Sequence, residues 1–182
     1  MRQAIAVFGS TGSVGVNTVD VIQRNADKYY VEALTANRNV EALLAQCLSH
    51  RPRLAAMADP VASTELAVRL SRAGAQTEVV TAEAPLCQIA SDPKIPIVMA
   101  SIVGFAGLAP TFQAIRCGKK ILLANKESMV VAGTILNQLA QKSGAVLLPV
   151  DSEHNAIFQC LSDTDQKPVS YTHLTLPTIC SV

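Results

Sequence analysis

The chain of 182 residues is 49% hydrophobic and 16% charged, enough apolar material to bury a real core in one domain or slightly more than one. Its formal net charge of +1 arises from interspersed signs, so no basic field points to nucleic acid. The lack of tryptophan and the few other aromatics argue against base-stacking platforms, and no apolar run approaches the roughly 20 residues that cross a bilayer. The first residues enter an apolar strand with no secretory or transit pattern. Five cysteines, at 47, 87, 117, 160 and 180, show no zinc-type or paired spacing. These features predict a cytoplasmic protein with reduced, mostly buried thiols and small-molecule partners, with neither nucleic acid nor membrane among them.

Short apolar runs alternate with helix-like stretches from the first residues onward. A strand predicted over residues 4–8 passes through Gly9-Ser10-Thr11-Gly12-Ser13-Val14-Gly15 into a helix over residues 14–24, where Val14, Thr18, Val21 and Ile22 share a face. A glycine turn in that context brings backbone N–H groups and the helix dipole toward a pyrophosphate. Its spacing is G-x-x-G-x-x-G rather than G-x-G-x-x-G, and the plain alternative is a turn that serves packing alone.

The second strand, over residues 30–34, ends in Thr35-Ala36-Asn37-Arg38-Asn39. An acid at this tip would take a ribose 2′-OH, whereas a cation would take a 2′-phosphate. Arg38 offers a forked cation and the asparagines offer donors, so NADP is favoured over NAD. The structural alternatives are a solvated loop cation at Arg38 and a helix cap at Asn39.

The alternation then continues with helices over 39–49, 61–72, 82–90, 108–117 and 129–142, and strands over 54–57, 78–80, 97–99, 120–123 and 145–150. Runs such as Ile121-Leu122-Leu123 and Val146-Leu147-Leu148 are continuously apolar, as expected for parallel strands covered on both faces. The plan is α/β, a Rossmann-like doubly wound, mostly parallel sheet with helices on both faces.

Three strand tips carry chemistry. Ser101-Ile102-Val103-Gly104 follows one strand, with Gly104 allowing a close turn, and Asn125, Lys126, Glu127 and Ser128 follow the next. Open α/β sheets bind ligands at this edge, although Lys126 and Glu127 could equally form a surface ion pair. Asp151, Ser152 and Glu153 follow the last strand, ahead of a short helix over 154–161. Carboxylates there must stay solvated, pair with a cation or bind a metal, or else simply charge a helix start. Convergence of the tips on one side of the sheet predicts a single pocket.

Together, these segments resemble the 1-deoxy-D-xylulose 5-phosphate reductoisomerase family. The resemblance rests on the glycine turn at 9–15, on Ile102-Val103-Gly104 with Gly107-Leu108-Ala109-Pro110-Thr111, on Leu123-Ala124-Asn125-Lys126-Glu127-Ser128, and on Pro149-Val150-Asp151-Ser152-Glu153-His154-Asn155-Ala156-Ile157-Phe158-Gln159. It implies an NADPH- and divalent-metal-dependent isomerisation and reduction of a keto-sugar phosphate to 2-C-methyl-D-erythritol 4-phosphate, in isoprenoid precursor synthesis. By position, Thr11, Gly12, Ser13 and Val14 would hold the cofactor pyrophosphate, and Asn37, Arg38 and Asn39 would surround the 2′-phosphate. Asn125 and Glu127 would be further cofactor contacts. Lys126 and Ser152 would touch the substrate, while Asp151 and Glu153 would ligate Mg²⁺ or Mn²⁺.

The resemblance also implies a homodimer in the full-length protein. It divides the chain into an NADPH-binding domain over 1–150, the start of a truncated catalytic and metal-binding domain over 151–167, and an atypical tail over 168–182. Two departures stand out: Asn37 takes the place of a family glycine, and from Pro168 onward the chain no longer follows the family pattern. A third acidic metal ligand and a phosphate-binding set are expected beyond that point, so turnover by this chain alone is not expected. Two other readings compete. One is a non-catalytic NADP-binding module. The other is another NADP-dependent reductase of the aspartate-semialdehyde dehydrogenase type, which needs an activated cysteine for which Cys87, Cys117 and Cys160 carry no flanking signature.

Overall fold

A computed structural model describes residues 1–80 and 84–160. Seven strands form one sheet: β1 (Gln3–Phe8), β2 (Tyr29–Ala36), β3 (Leu54–Met57), β4 (Glu78–Val80), β5 (Ile97–Ala100), β6 (Lys120–Leu123) and β7 (Val146–Pro149). Their spatial order is β4-β3-β2-β1-β5-β6-β7, and every neighbouring pair is parallel. The chain winds outward from β1 to β4, then returns beside β1 and winds the other way. The strand order thus reverses between β1 and β5, the position whose carboxyl edge binds ligands in open α/β sheets.

The helices divide between the two faces. Helices α1 (Ser13–Arg24), α2 (Val40–His50) and α3 (Pro60–Arg72) pack with Ile5, Val7 and Leu34. Helices α4 (Pro85–Ser91), α5 (Leu108–Arg116) and α6 (Lys126–Ser143) pack with Ala6, Phe8 and Ala33. Alternate residues of β1 thus enter opposite cores, which is why its sequence is apolar without alternation. A last helix, α7 (Ser152–Cys160), follows β7.

Several expectations are corrected. Helix α6 begins at Lys126 rather than at 129, because Asn125 accepts the Ser128 N–H at 2.9 Å and caps it. Helix α7 starts at Ser152, two residues before the expected start, with the Asp151 carboxylate accepting the His154 N–H at 3.3 Å. In α1 the buried residues are Gly15, Val19 and Ile22, whereas Val14 and Val21 are exposed. Strand β7 is only partly buried, because it is the sheet edge and no described helix covers it on the α1 side. An open hollow there is lined by Val14, Val21, Met99, Leu122 and Leu148.

Of the cysteines described, only Cys47 is buried; Cys87 is intermediate, Cys117 and Cys160 are exposed, and all four are free thiols. The tail expected over 168–182 lies outside the described residues, as do residues 161–167 of the expected segment 151–167. No helix among the described residues is long and apolar enough to cross a membrane.

The amino edge of the sheet is tied by charge. Arg53 bridges Glu32, at 2.6 Å, and Asp92, while the buried Lys119 ammonium donates to the Asp92 and Ile95 carbonyls. These groups lie at the amino end of the strands, opposite the carboxyl-end tips that carry the candidate site.

Candidate functional site

The turn after β1 is built around Gly9, whose φ of 77° lies in the left-handed region. Its N–H donates to Thr35 Oγ1 at 3.1 Å, and the Ser10 N–H donates to the Thr35 carbonyl at 2.8 Å. A Cβ on Gly15 would lie 2.2 Å from the Gly9 carbonyl oxygen, so this glycine lets α1 seat against the turn. Gly12 differs: it has an ordinary φ of −79°, and a Cβ there would meet only the Gly9 oxygen, at 3.4 Å. The protein itself leaves room at Gly12, on the exposed side where a ligand would approach. No side chain caps α1 and no acid occupies its first turn, so its leading N–H groups keep their affinity for an anion.

At the β2 tip, Asn37, Arg38 and Asn39 are exposed, and Asn39 caps α2 by accepting the Ala42 N–H at 3.1 Å. Arg38 Nε lies 3.1 Å from Asp59 Oδ2. Sequence reasoning passed over Asp59, although an Asp before the proline that opens a helix is a recognisable cap signal. Its carboxylate also accepts the Val61 and Ala62 N–H groups, each at 3.0 Å. The Ala62 hydrogen bond foremost, with those of Val61 and Arg38, holds Asp59 below the usual carboxylate range despite some burial. Beside it, a cavity of about 600 Å³ is lined by Met57, Ala58, Pro60 and Ser63 from the β3 side and by Leu86 and Cys87 opposite.

The β5 and β6 tips are stitched together by Asn125, which is 2% exposed. Its amide donates to the Ile102 carbonyl and, at 2.9 Å, to the Gly104 carbonyl, while its oxygen receives Ser128. The Asn125 side chain is therefore fully engaged within the protein. Lys126, by contrast, is exposed, Glu127 is partly exposed, and the two do not pair with each other.

A second cavity, of about 500 Å³, brings the β6 and β7 tips together: Lys126, Asp151 and His154 line it with Leu123, Met129 and Pro149. Two of the residues singled out in the sequence, 25 positions apart, thus share one space. Sequence reasoning did not single out His154, whose Nδ1 contacts Asp151. Burial pushes the Asp151 carboxyl upward, but the hydrogen bonds from His154 outweigh it and leave Asp151 below the usual range. Ser152 and Glu153 follow on the first turn of α7. Among the described residues no group of three or more His, Cys, Asp or Glu could hold a metal ion.

Comparison with known proteins gives a consistent answer. The family model described as 1-deoxy-D-xylulose 5-phosphate reductoisomerase matches residues 5–133. A reductoisomerase of that name from Janthinobacterium sp. (strain Marseille) is 52% identical over 165 residues, covering 91% of this chain and 42% of the relative. One from Pseudomonas fluorescens is 52% identical over 159 residues, covering 87% of this chain and 40% of the relative. The chain therefore spans about two fifths of the length of these curated relatives.

Among solved structures, the Zymomonas mobilis reductoisomerase in complex with NADPH superposes with a TM-score of 0.85 at 43% identity, over 90% of this chain and 42% of that one. A reductoisomerase in complex with NADPH, fosmidomycin and magnesium superposes with a TM-score of 0.85 at 41% identity, over 89% of this chain and 40% of that one. A homoserine dehydrogenase from Thiobacillus denitrificans, at 22% identity and a TM-score of 0.55, shares the fold alone.

Proposed function

Because the chain belongs to the 1-deoxy-D-xylulose 5-phosphate reductoisomerase family, we propose that it forms the nucleotide-binding part, residues 1–150, and the first catalytic segment, from 151 onward, of such an enzyme. The reaction is the NADPH- and divalent-metal-dependent isomerisation and reduction of 1-deoxy-D-xylulose 5-phosphate to 2-C-methyl-D-erythritol 4-phosphate. The observation that carries this reading is the cavity shared by Lys126 and Asp151 at adjacent strand tips, on the same edge as the unobstructed glycine turn.

In this reading the backbone of Thr11, Gly12, Ser13 and Val14 receives the pyrophosphate, and Asn37, Arg38 and Asn39 receive the 2′-phosphate. Glu127 contacts the cofactor further along. Asn125 contacts the cofactor at the strand tip whose loop its buried side chain holds. The exposed Lys126 ammonium reaches substrate oxygens and stabilises negative charge that develops on them. Ser152 donates to or accepts from the same substrate.

Asp151 and Glu153 would hold Mg²⁺ or Mn²⁺, and the partly exposed Asp151 carboxylate, poised at a strand end, is the hard oxygen donor that such ions prefer. The bound ion would supply Lewis-acid polarisation of the substrate carbonyl. We place the remaining ligands on the substrate and on family sequence outside residues 1–160, together with the contacts of a homodimer, and we place the protein in the cytoplasm.

Titration with NADPH followed by nucleotide fluorescence tests the cofactor assignment: Arg38→Ala should weaken NADPH markedly and NADH little. Equal affinity for the two nucleotides in the unmodified chain would overturn it. The metal assignment is tested by fusing residues 1–160 to the remaining portion of a relative and following NADPH oxidation with the sugar phosphate. Turnover that survives Asp151→Asn unchanged would remove Asp151 from the metal site.

A further inference from the structure

The β3 tip grips the β2 tip at three points. The Ala58 N–H donates to the Ala36 carbonyl at 3.0 Å, the Asp59 N–H donates to the Asn37 carbonyl at 3.2 Å, and the Asp59 carboxylate meets Arg38 Nε at 3.1 Å. The two carboxylate oxygens have separate duties. Oδ1 is fixed by the Val61 and Ala62 N–H groups at the start of α3, and Oδ2 faces the arginine.

Asp59 is thus anchored from its own backbone and from its side chain, and its side chain is 24% exposed against 79% for Arg38. A long cation on an open loop is tied to a rigid carboxylate through one edge of its guanidinium. The Nη groups on the other edge have no hydrogen-bond partner among the described residues.

We infer that Asp59 is a positioning residue for the nucleotide 2′-phosphate: by holding the Nε edge of Arg38, it presents the Nη fork and raises the preference of the chain for NADPH over NADH. The inference rests on the proposed assignment of residues 37–39 to the 2′-phosphate. A free arginine would have to give up several rotatable bonds when it binds, and the existing ion pair has already restricted them. The carboxylate also carries a charge that opposes a phosphate. That repulsion acts across the width of a guanidinium in a water-exposed, salt-screened setting, and the positive end of α3 offsets it. Preorganisation is therefore the larger effect.

The test is Asp59→Asn in the 182-residue chain, because asparagine still caps α3 through its side-chain oxygen while losing the charged link to Arg38. NADPH affinity should fall roughly three- to tenfold, the scale of a lost preorganised charged contact, with NADH affinity unchanged and the melting temperature lowered only slightly by loss of the charge at the α3 start. In an Arg38→Ala background the same substitution should have no further effect on NADPH. An unchanged or increased ratio of NADPH to NADH affinity in Asp59→Asn, or an equal weakening of both nucleotides, overturns the positioning role. Arg38→Ala separates the two levels. If that variant keeps the ratio, the 2′-phosphate assignment itself fails; if it abolishes the ratio while Asp59→Asn does not, only the role of Asp59 falls.

Discussion

Gly15 seats so closely on the turn that a Cβ there would lie 2.2 Å from the Gly9 carbonyl oxygen, whereas one on Gly12 would stand 3.4 Å from the same atom. The two glycines therefore serve different links between sequence and function. Gly15→Ala must push α1 off the turn, and we expect a loss of about 3 kcal/mol or more in denaturant unfolding. Gly12→Ala should cost under about 1 kcal/mol, since its φ suits any residue, yet weaken NADPH binding if the proposed pyrophosphate contact lies there, because the added methyl group would occupy that approach. Equal destabilisation by the two substitutions, measured by urea titration, would contradict this division.

Asn125 should behave as a structural tie between strand tips. Asn125→Ala removes the α6 cap, takes the side-chain donor from the Ile102 carbonyl and leaves the Gly104 carbonyl with only the long Gly107 N–H contact at 3.4 Å, an expected loss of about 2–3 kcal/mol. Hydrogen exchange should rise in the 101–107 loop as well as in the first turn of α6. Faster exchange confined to α6 would mean that the loop does not depend on this amide.

Cys47 links burial to alkaline stability. It is fully buried, and desolvation pushes its thiol from an ordinary pKa of 9.0 up to about 12. The unfolded chain then loses this proton at lower pH than the folded chain does. The contribution is intact below about pH 9 and is lost as pH rises through the folded value, at up to about 1.4 kcal/mol per pH unit. Melts recorded between about pH 8 and pH 11 should show a flatter decline in Cys47→Ala than in the parent chain. Other titrating groups, such as Lys119, are common to both chains and cancel in the comparison. Parallel curves would remove Cys47 as a source of the alkaline loss.

What the sequence showed most clearly was whatever depends on neighbours along the chain. The run at 4–8 is apolar throughout because both faces of β1 are covered, and the glycine turn after it has the local spacing its geometry needs. Lys126 and Asp151 could be paired in advance because both follow strands of one parallel sheet, whose tips must share an edge. The start of α6 was misplaced because Asn125 has donors and an acceptor that suit either a ligand or a cap, and only the fold shows all of them spent internally. Asp59 escaped notice because its meaning depends on Arg38, 21 residues earlier, reaching it across neighbouring strands. The burial of β7 was overestimated because hydrophobic runs do not reveal whether a helix will cover each face.

The ion cluster at the amino edge, likewise invisible in the sequence, gives the last prediction. Arg53 meets Glu32 and Asp92 from 21 and 39 positions away, and Glu32 is 8% exposed. Removing the guanidinium strands a nearly buried carboxylate, which is far more costly than losing an exposed pair. Arg53 itself is 37% exposed, so water screens part of the effect, and the expected loss for Arg53→Met is about 2 kcal/mol. Adding Glu32→Gln should restore part of it, because the neutral amide no longer needs a cation. Nucleotide affinity should be unaffected in both variants, since the cluster lies at the far end of the strands from the glycine turn. Urea midpoints that do not move in Arg53→Met would show that solvent replaces the arginine fully, and a double variant less stable than the single would show that Glu32 has another partner.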